Sequence, residues 1–566
     1  MSPNALIRFI KLAFLFILLI SISAASYYVY KRFFKANRIP HTPPTTEQLN
    51  ALMGEKKHSR HLLGTNTNEI KEDNSSIPFV DLFKSSIPFA DTNPWLSNAN
   101  VEYDNNGWPI NLNGGIAGTK FLNRLPEGTT PNGLYTVLYT GQGKLKYGND
   151  ATLVLRKPGK DVINIAAGED KILNASIIIS QTNTANPIRN IRILLPGGIC
   201  KGNSYQRVNQ QTDCDNKTFL SFEKHHQELI FNPDYLNFMK DFRLIRFMNM
   251  SGMTRNPIQH WHQRNTLVKA TWGGKEGHRG APLETMVKLA NTLKADVWFS
   301  MPYQASDAYV QTFAKYVNQH LNPILKVYIE YSNEAWNNIF IHRRYTIDQG
   351  IKHQLDSEPQ TAGIKFYAKR SVEIFKIWQH AFSNKQRLIR TLAGWSANSD
   401  LSSQLLSYNQ TYRYTDAIAI APYFYANLKT LRKANTVDDV FDAIESKWSR
   451  YGLTASIKQI REQVQLAKEF GVELLAYEGG QHLVDWETRT VEQHPNPLLY
   501  QANRDSRMGS LYSRYLKAWN DAGGKTFVHF SAPRIYSWYG SWGAKEYITQ
   551  PRNQAPKYDA LLKYIE

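Results

Sequence analysis

From residue 190 to its end, the chain alternates β-type runs with amphipathic helical stretches, and no other feature restricts its fold as much. The β-type runs fall at 190–196, 242–248, 295–301, 325–333, 387–395, 416–422, 472–478 and 525–531. Helical periodicity fills the intervals, as in LETMVKLANTLK, AYVQTFAKYVNQHL and SIKQIREQVQLAKEF. Strands that each feed a helix pair in parallel, and eight such units close into a (β/α)8 TIM barrel. The alternative, an open doubly wound sheet, usually carries a glycine-rich first turn. Here the first run ends Leu195-Pro196-Gly197-Gly198, without a G-x-G-x-x-G pattern, which argues against a dinucleotide site.

The preceding segments read differently. Residues 91–189 hold short β-type runs (LYTVLYT, ATLVLR, DVINIA, ASIIISQT) separated by Gly, Asn, Asp and Pro, the pattern of a small antiparallel β-sandwich-like domain. Trp95, Tyr103, Trp108 and Tyr135 either line a sugar-binding face there or fill its core. Residues 36–90 are rich in proline and small polar residues and contain two similar runs, Ser75-Ser76-Ile77-Pro78-Phe79 and Ser85-Ser86-Ile87-Pro88-Phe89. They read as a flexible linker. The expected organisation is therefore 1–35 membrane segment, 36–90 linker, 91–189 β domain and 190–566 barrel.

The segment 1–35 bears on compartment. An uncharged run from Leu12 to Tyr30 is long enough to span a bilayer as a helix and follows Arg8 and Lys11. Ser23, Ala24, Ala25 and Ser26 also suit signal-peptidase cleavage, so a signal anchor and a cleaved signal peptide both fit. Lys31, Arg32, Lys35 and Arg38 after the run would retain the C-terminal side in the cytoplasm by the positive-inside rule. Long domains translocate largely regardless of that bias, so the expectation is a membrane-anchored chain with its catalytic part exported, or a secreted one after cleavage. Of the two cysteines, Cys200 and Cys214, the spacing suits one disulfide in an oxidising compartment, though two free thiols also fit. Asn174 and Asn216 begin glycosylation tripeptides, which matter only in a eukaryotic, exported setting. The formal charge of +19 favours anionic partners, an acidic polysaccharide among them. No nucleic-acid recognition motif accompanies it, and export argues against that partner.

Barrel enzymes carry their chemistry at the C-terminal ends of the strands. Reading those ends in order gives Arg246 on strand two and Asn333-Glu334 after strand four. Tyr423 follows strand six, Glu478 ends strand seven, and Trp538 and Trp542 lie beyond strand eight. Two carboxylates across one barrel mouth are what glycoside cleavage requires: one protonates the departing oxygen, the other meets the developing positive carbon. There is no G-x-S-x-G elbow, P-loop or H-E-x-x-H helix. His225, His226, His260 and His262 lack a carboxylate at ligand spacing and read as loop or substrate-contacting residues; neither a metal nor a cofactor is expected.

Asn333-Glu334 after strand four and Glu478 in AYEGG after strand seven resemble the clan A retaining glycoside hydrolases, over roughly residues 190–566. The resemblance implies Glu334 as acid/base, Glu478 as nucleophile and Arg246 as a donor to Glu478. A structural ion pair of Arg246 with Glu330 is the competing reading. It also implies Asn333 on the sugar hydroxyl beside the scissile bond, Tyr423 on the nucleophile, and Trp538 or Trp542 as the platform under the reacting sugar. Trp261 and Trp336 either line flanking subsites or simply pack. Ala335 stands where many clan members have proline. The expected function is a glycosidase or transglycosylase acting on a polysaccharide. The alternative is an inactive, membrane-tethered polysaccharide-binding protein on the same fold.

Overall fold

The computed structural model describes residues 62–566. Eight parallel strands close a barrel: Leu63–Asn66, Leu244–Arg246, Asp296–Met301, Val327–Tyr331, Leu388–Ala393, Ala417–Ile420, Glu473–Ala476 and Phe527–His529. They are called barrel strands one to eight. Strand one closes the ring between strands two and eight, with Gly64 opposite both Leu244 and Val528.

Side chains alternate between two cores, as the period of a strand demands. Leu244, Trp298, Tyr328, Ala417, Ala419, Leu475 and Val528 fill the barrel interior. Ile245, Val297, Ile329, Ile418 and Leu474 face outward into the layer shared with the helices. With both faces covered, these strands read as near-continuous apolar runs. The helices are stopped by local chemistry. Ser306 caps Asp307–His320 by accepting from the Tyr309 amide, and Gly471 ends Leu453–Phe470 in the left-handed region at φ 70°.

The structure corrects the expected organisation in three respects. Strand one lies at Leu63–Asn66, inside the segment read as linker, and residues 62–90 are mostly buried. Phe83, for example, stacks on Trp108 with ring centroids 5.6 Å apart. Run 190–196 is not a barrel strand: Arg189–Leu194 pairs antiparallel with Gly133–Thr140. The β domain therefore does not precede the barrel but is inserted between its first two strands. It consists of a four-stranded sheet (189–194, 133–140, 160–165, 151–157) and a three-stranded one (117–126, 172–182, 143–149), both antiparallel.

Within the β domain, Trp108 and Tyr135 are buried and belong to the core, whereas Tyr103 is 37% exposed. Trp95 lies flat across Gly118, whose missing side chain leaves room for the ring. Cys200 and Cys214 form a disulfide. The anticipated membrane segment and linker residues 36–61 lie outside the described residues. Among the described residues no helix is long and apolar enough to cross a membrane.

Strand one packs so closely that a Cβ on Gly64 would sit 2.8 Å from the Leu244 carbonyl oxygen and 3.2 Å from a Val528 methyl. Gly64→Ala is therefore expected to destabilise the protein by about 1–3 kcal/mol through overpacking. Thermal or denaturant unfolding of the full chain measures this. A residue in a flexible linker would tolerate the change.

Candidate functional site

Arg246 stands at the centre of the barrel mouth, fully buried at the end of strand two. Nη1 donates to Glu478 Oε1 at 2.9 Å and to Asn66 Oδ1 at 3.1 Å. Nη2 donates to Glu330 Oε2 at 2.9 Å and to Asn333 Oδ1 at 3.1 Å. The guanidinium also lies over the rings of Trp298 and Tyr477, 5.6 and 5.0 Å from their centroids. The two readings of Arg246 thus coexist: it pairs with Glu330 and with Glu478 at once. Burial opposes its charge, but the two carboxylates outweigh burial and hold it protonated. Glu330 Oε2 also accepts from Trp298 Nε1 at 2.8 Å and Ser300 Oγ at 3.1 Å, so three donors converge on one oxygen of the inward carboxyl of strand four.

Glu478 follows strand seven and is nearly buried. Its Oε2 accepts from the Tyr423 hydroxyl at 3.0 Å, and Oε1 from Arg246. Glu334 follows strand four in an unusual backbone conformation, with Ser332 and Glu334 at φ 64° and 43°. Non-glycine residues in the left-handed region are costly and gather at functional sites. Glu334 Oε1 accepts from the Tyr477 hydroxyl at 3.0 Å and Oε2 from Asn337 Nδ2 at 2.8 Å. Asn333, its oxygen held by Arg246, fixes the same turn through its carbonyl, which accepts from His342 Nδ1 at 2.7 Å.

The two carboxyls differ in their donors. Glu478 is bound by a fixed cation and a phenol, Glu334 only by a phenol and an amide. Burial raises the pKa of Glu334, opposed by its bonds to Asn337 and Tyr477. Burial also raises Glu478, to about 7, with Arg246 opposing and the charge of Glu334 adding to the rise. The pair therefore titrates as a unit. Within it, a guanidinium can only donate, which favours the anion on Glu478 and leaves the shared proton to Glu334. Tyr423 and Tyr477 are pushed well above the ordinary phenol range by burial and the adjacent carboxylates, so both remain donors.

Of the two expected platforms, Trp542 stands by the pair. Its ring meets Phe530 edge-on at 5.7 Å, and it shares a small apolar cluster with Met248, Met253 and Tyr423. Trp538 instead stacks on Tyr539 at 3.6 Å with Arg489 over its face. Trp336 stacks on Trp395 at 5.4 Å, and Trp395 is 45% exposed. Trp261 packs on Tyr309 beneath Arg264. His225 bonds to Glu228, and His260 stacks on His262. Among the described residues no group of three or more His, Cys, Asp or Glu side chains could hold a metal ion.

Sequence reasoning missed Asn66, Asn337, Tyr477 and His482. Tyr477 directly precedes Glu478, and Asn337 closes a turn three residues beyond Glu334, so adjacency was the available signal for both. Asn66 had none, because its strand had been read as linker. From there its Nδ2 donates to the Tyr477 and His529 carbonyls at 2.9 and 3.3 Å, tying strand one to the ends of strands seven and eight.

No protein-family model matches the chain, and no curated protein matches it by sequence. Solved structures to which the chain is weakly similar include glycoside hydrolases. A Bacteroidetes-affiliated GH5 cellulase shares 14% identity at a TM-score of 0.37, over 59% of this chain and 86% of that one. A GH5 lichenase from Caldicellulosiruptor sp. F32 shares 13% at 0.36, over 64% and 92%. A GH51 arabinofuranosidase from Xanthomonas axonopodis pv. citri shares 11% at 0.33, over 53% of this chain; the chain spans only 60% of that protein's length.

Burial raises both carboxyls above their ordinary 4.5, so the folded protein holds the pair's shared proton, carried by Glu334, more tightly than the unfolded chain does. The pair's contribution to stability is complete below pH 4.5 and is lost as the pH rises towards about 7, the value to which Glu478 is raised. The melting temperature of the wild type should therefore fall relative to that of Glu478→Gln across this window. Parallel melting profiles from pH 4 to 8 would show that the pair is not raised.

Proposed function

We infer that the protein is a retaining glycoside hydrolase or transglycosylase that acts on a polysaccharide. The observation that carries this reading is the pair of carboxyls at one barrel mouth, one held by Arg246 and Tyr423, the other by neutral donors alone. Glu334 gives its proton to the glycosidic oxygen as the bond from that oxygen to the anomeric carbon breaks. The Glu478 carboxylate attacks that carbon and forms a glycosyl ester. Glu334, now ionised, takes a proton from water or from a sugar hydroxyl, whose oxygen displaces Glu478 and restores both groups.

Arg246 and Tyr423 orient the nucleophile and limit its basicity, and Asn333 retains its amide N–H groups for the hydroxyl beside the reacting carbon. Trp542 offers the apolar face against which a pyranose ring lies. The exported, membrane-tethered setting belongs to the same inference. It is supported by the apolar run Leu12–Tyr30 and by the Cys200–Cys214 disulfide.

Glu334→Gln and Glu478→Gln are each expected to lower turnover of a hydrolysed polysaccharide by about three orders of magnitude or more, since each removes a group that acts as part of one unit. Reducing-sugar release from β-glucan, xylan and mannan measures this, and undiminished activity in both variants would overturn the reading. Proton NMR of the first-formed product should show the anomeric configuration retained. Inversion would mean that Glu478 activates water instead.

With aryl glycosides whose leaving groups need no protonation, Glu334→Gln should keep the glycosylation step. It should also lose the alkaline limb of the pH profile, because that limb reports departure of the Glu334 proton. An unchanged alkaline limb would assign the acid role elsewhere.

A further inference from the structure

After Glu478 the chain turns through Gly479 and Gly480, the latter at φ 137°, and packs His482 against Tyr423, the phenol that donates to Glu478. There its backbone N–H donates to the Phe424 carbonyl at 2.9 Å. The imidazole lies among four aromatic rings, with centroid distances of 5.2 Å to Tyr423, 5.9 Å to Tyr425, 5.5 Å to Trp486 and 5.6 Å to Trp542. His482 itself is mostly covered, while Trp486 is half exposed, so the aromatic group borders open solvent.

One bond decides what this ring presents. Trp542 Nε1 donates to His482 Nδ1 at 3.1 Å. An indole nitrogen has no lone pair to offer, so Nδ1 must be the acceptor and the neutral ring carries its hydrogen on Nε2. Burial lowers the pKa of His482 to about 4, so the ring is neutral in the working range. No protein group among the described residues accepts from Nε2. A directed N–H donor is thus left over, beside the tryptophan against which a sugar would stack and one ring away from the phenol that holds Glu478.

We propose that His482 is a substrate-positioning residue whose Nε2–H donates to a hydroxyl oxygen of the pyranose stacked on Trp542. This rests on the reading of Glu334 and Glu478 as the cleaving pair. Stacking alone is permissive, since many pyranoses have an apolar face. A fixed donor is not, because an epimer whose hydroxyl points elsewhere leaves the N–H unpaired after water has been displaced. His482 therefore selects configuration, and the same ring, by accepting from Trp542, holds the platform at its angle.

The test uses the full-length Glu334→Gln protein, which binds without turnover, titrated calorimetrically with cellohexaose, laminarihexaose, xylohexaose and mannohexaose. Into this background are placed His482→Phe, which keeps an aromatic ring but loses both nitrogens, and His482→Gln, which restores one acceptor and one donor. For the hexaose bound best, Phe should weaken binding about tenfold or more and narrow the preference among the four sugars, while Gln recovers most of both. Circular dichroism melting checks that the variants fold. Unchanged affinity in the Phe variant, or a folded Gln variant no better than Phe, overturns the role of His482 and leaves the carboxyl pair untouched. Failure of all four hexaoses to bind the parent overturns the reading of the cleft itself, and the role of His482 falls with it.

Discussion

The buried guanidinium of Arg246 is the interaction on which the rest of the mouth depends. It is bonded to side chains from strand one (Asn66), the end of strand four (Glu330 and Asn333) and the end of strand seven (Glu478). Two carboxylates buried without it would be uncompensated charges, and breaking a buried pair in this way costs about 3–5 kcal/mol. The arginine thus does two things with one charge. It makes Glu330 tolerable inside the barrel, and it sets the difference between Glu478, held by a cation, and Glu334, held by neutral donors. That difference is what allows two chemically identical side chains to occupy opposite protonation states.

Around this charge lies an aromatic lining that both buries it and orients donors. Trp298 and Tyr477 sandwich the guanidinium, and their polar ends reach Glu330 and Glu334 respectively. Tyr423 donates to Glu478 and packs on His482, which in turn accepts from Trp542. Each ring contributes apolar area and one directed hydrogen bond, so the geometry is fixed by packing before a ligand arrives. The left-handed backbone at Ser332 and Glu334 belongs to the same arrangement: the chain leaves strand four under strain, which the surrounding bonds of Asn333 and Asn337 hold in place.

Strands two to eight were legible because a strand buried on both faces is a continuous apolar run, and each was followed by a helix of clear period. Strand one was not. Leu63-Gly64-Thr65-Asn66 has a single large apolar residue and runs on into the polar stretch Thr67–Ser76, yet all four residues are buried. The run at 190–196 took its place in the count because Ile191 and Ile193 alternate with polar neighbours in an apolar-rich segment. That alternation is the mark of a one-sided antiparallel strand, and Arg189–Leu194 is one. The exchange affected only the first position, so the ordinals of strands four and seven held, and with them Glu334 and Glu478.

By itself, the sequence determined the kind of architecture and the residues at the strand ends, because burial patterns and strand-to-helix alternation are local and periodic. It could not determine that Leu63–Asn66 completes the ring, since the burial of these residues comes from neighbours more than 170 positions away, as in the pairing of Gly64 with Leu244. Nor could it determine that Arg246 serves both Glu330 and Glu478, that Tyr477 turns to Glu334, or that Trp542 sets the tautomer of His482. Those outcomes depend on distances of about 3 Å between groups remote in the chain. Only closure of the barrel brings such groups together.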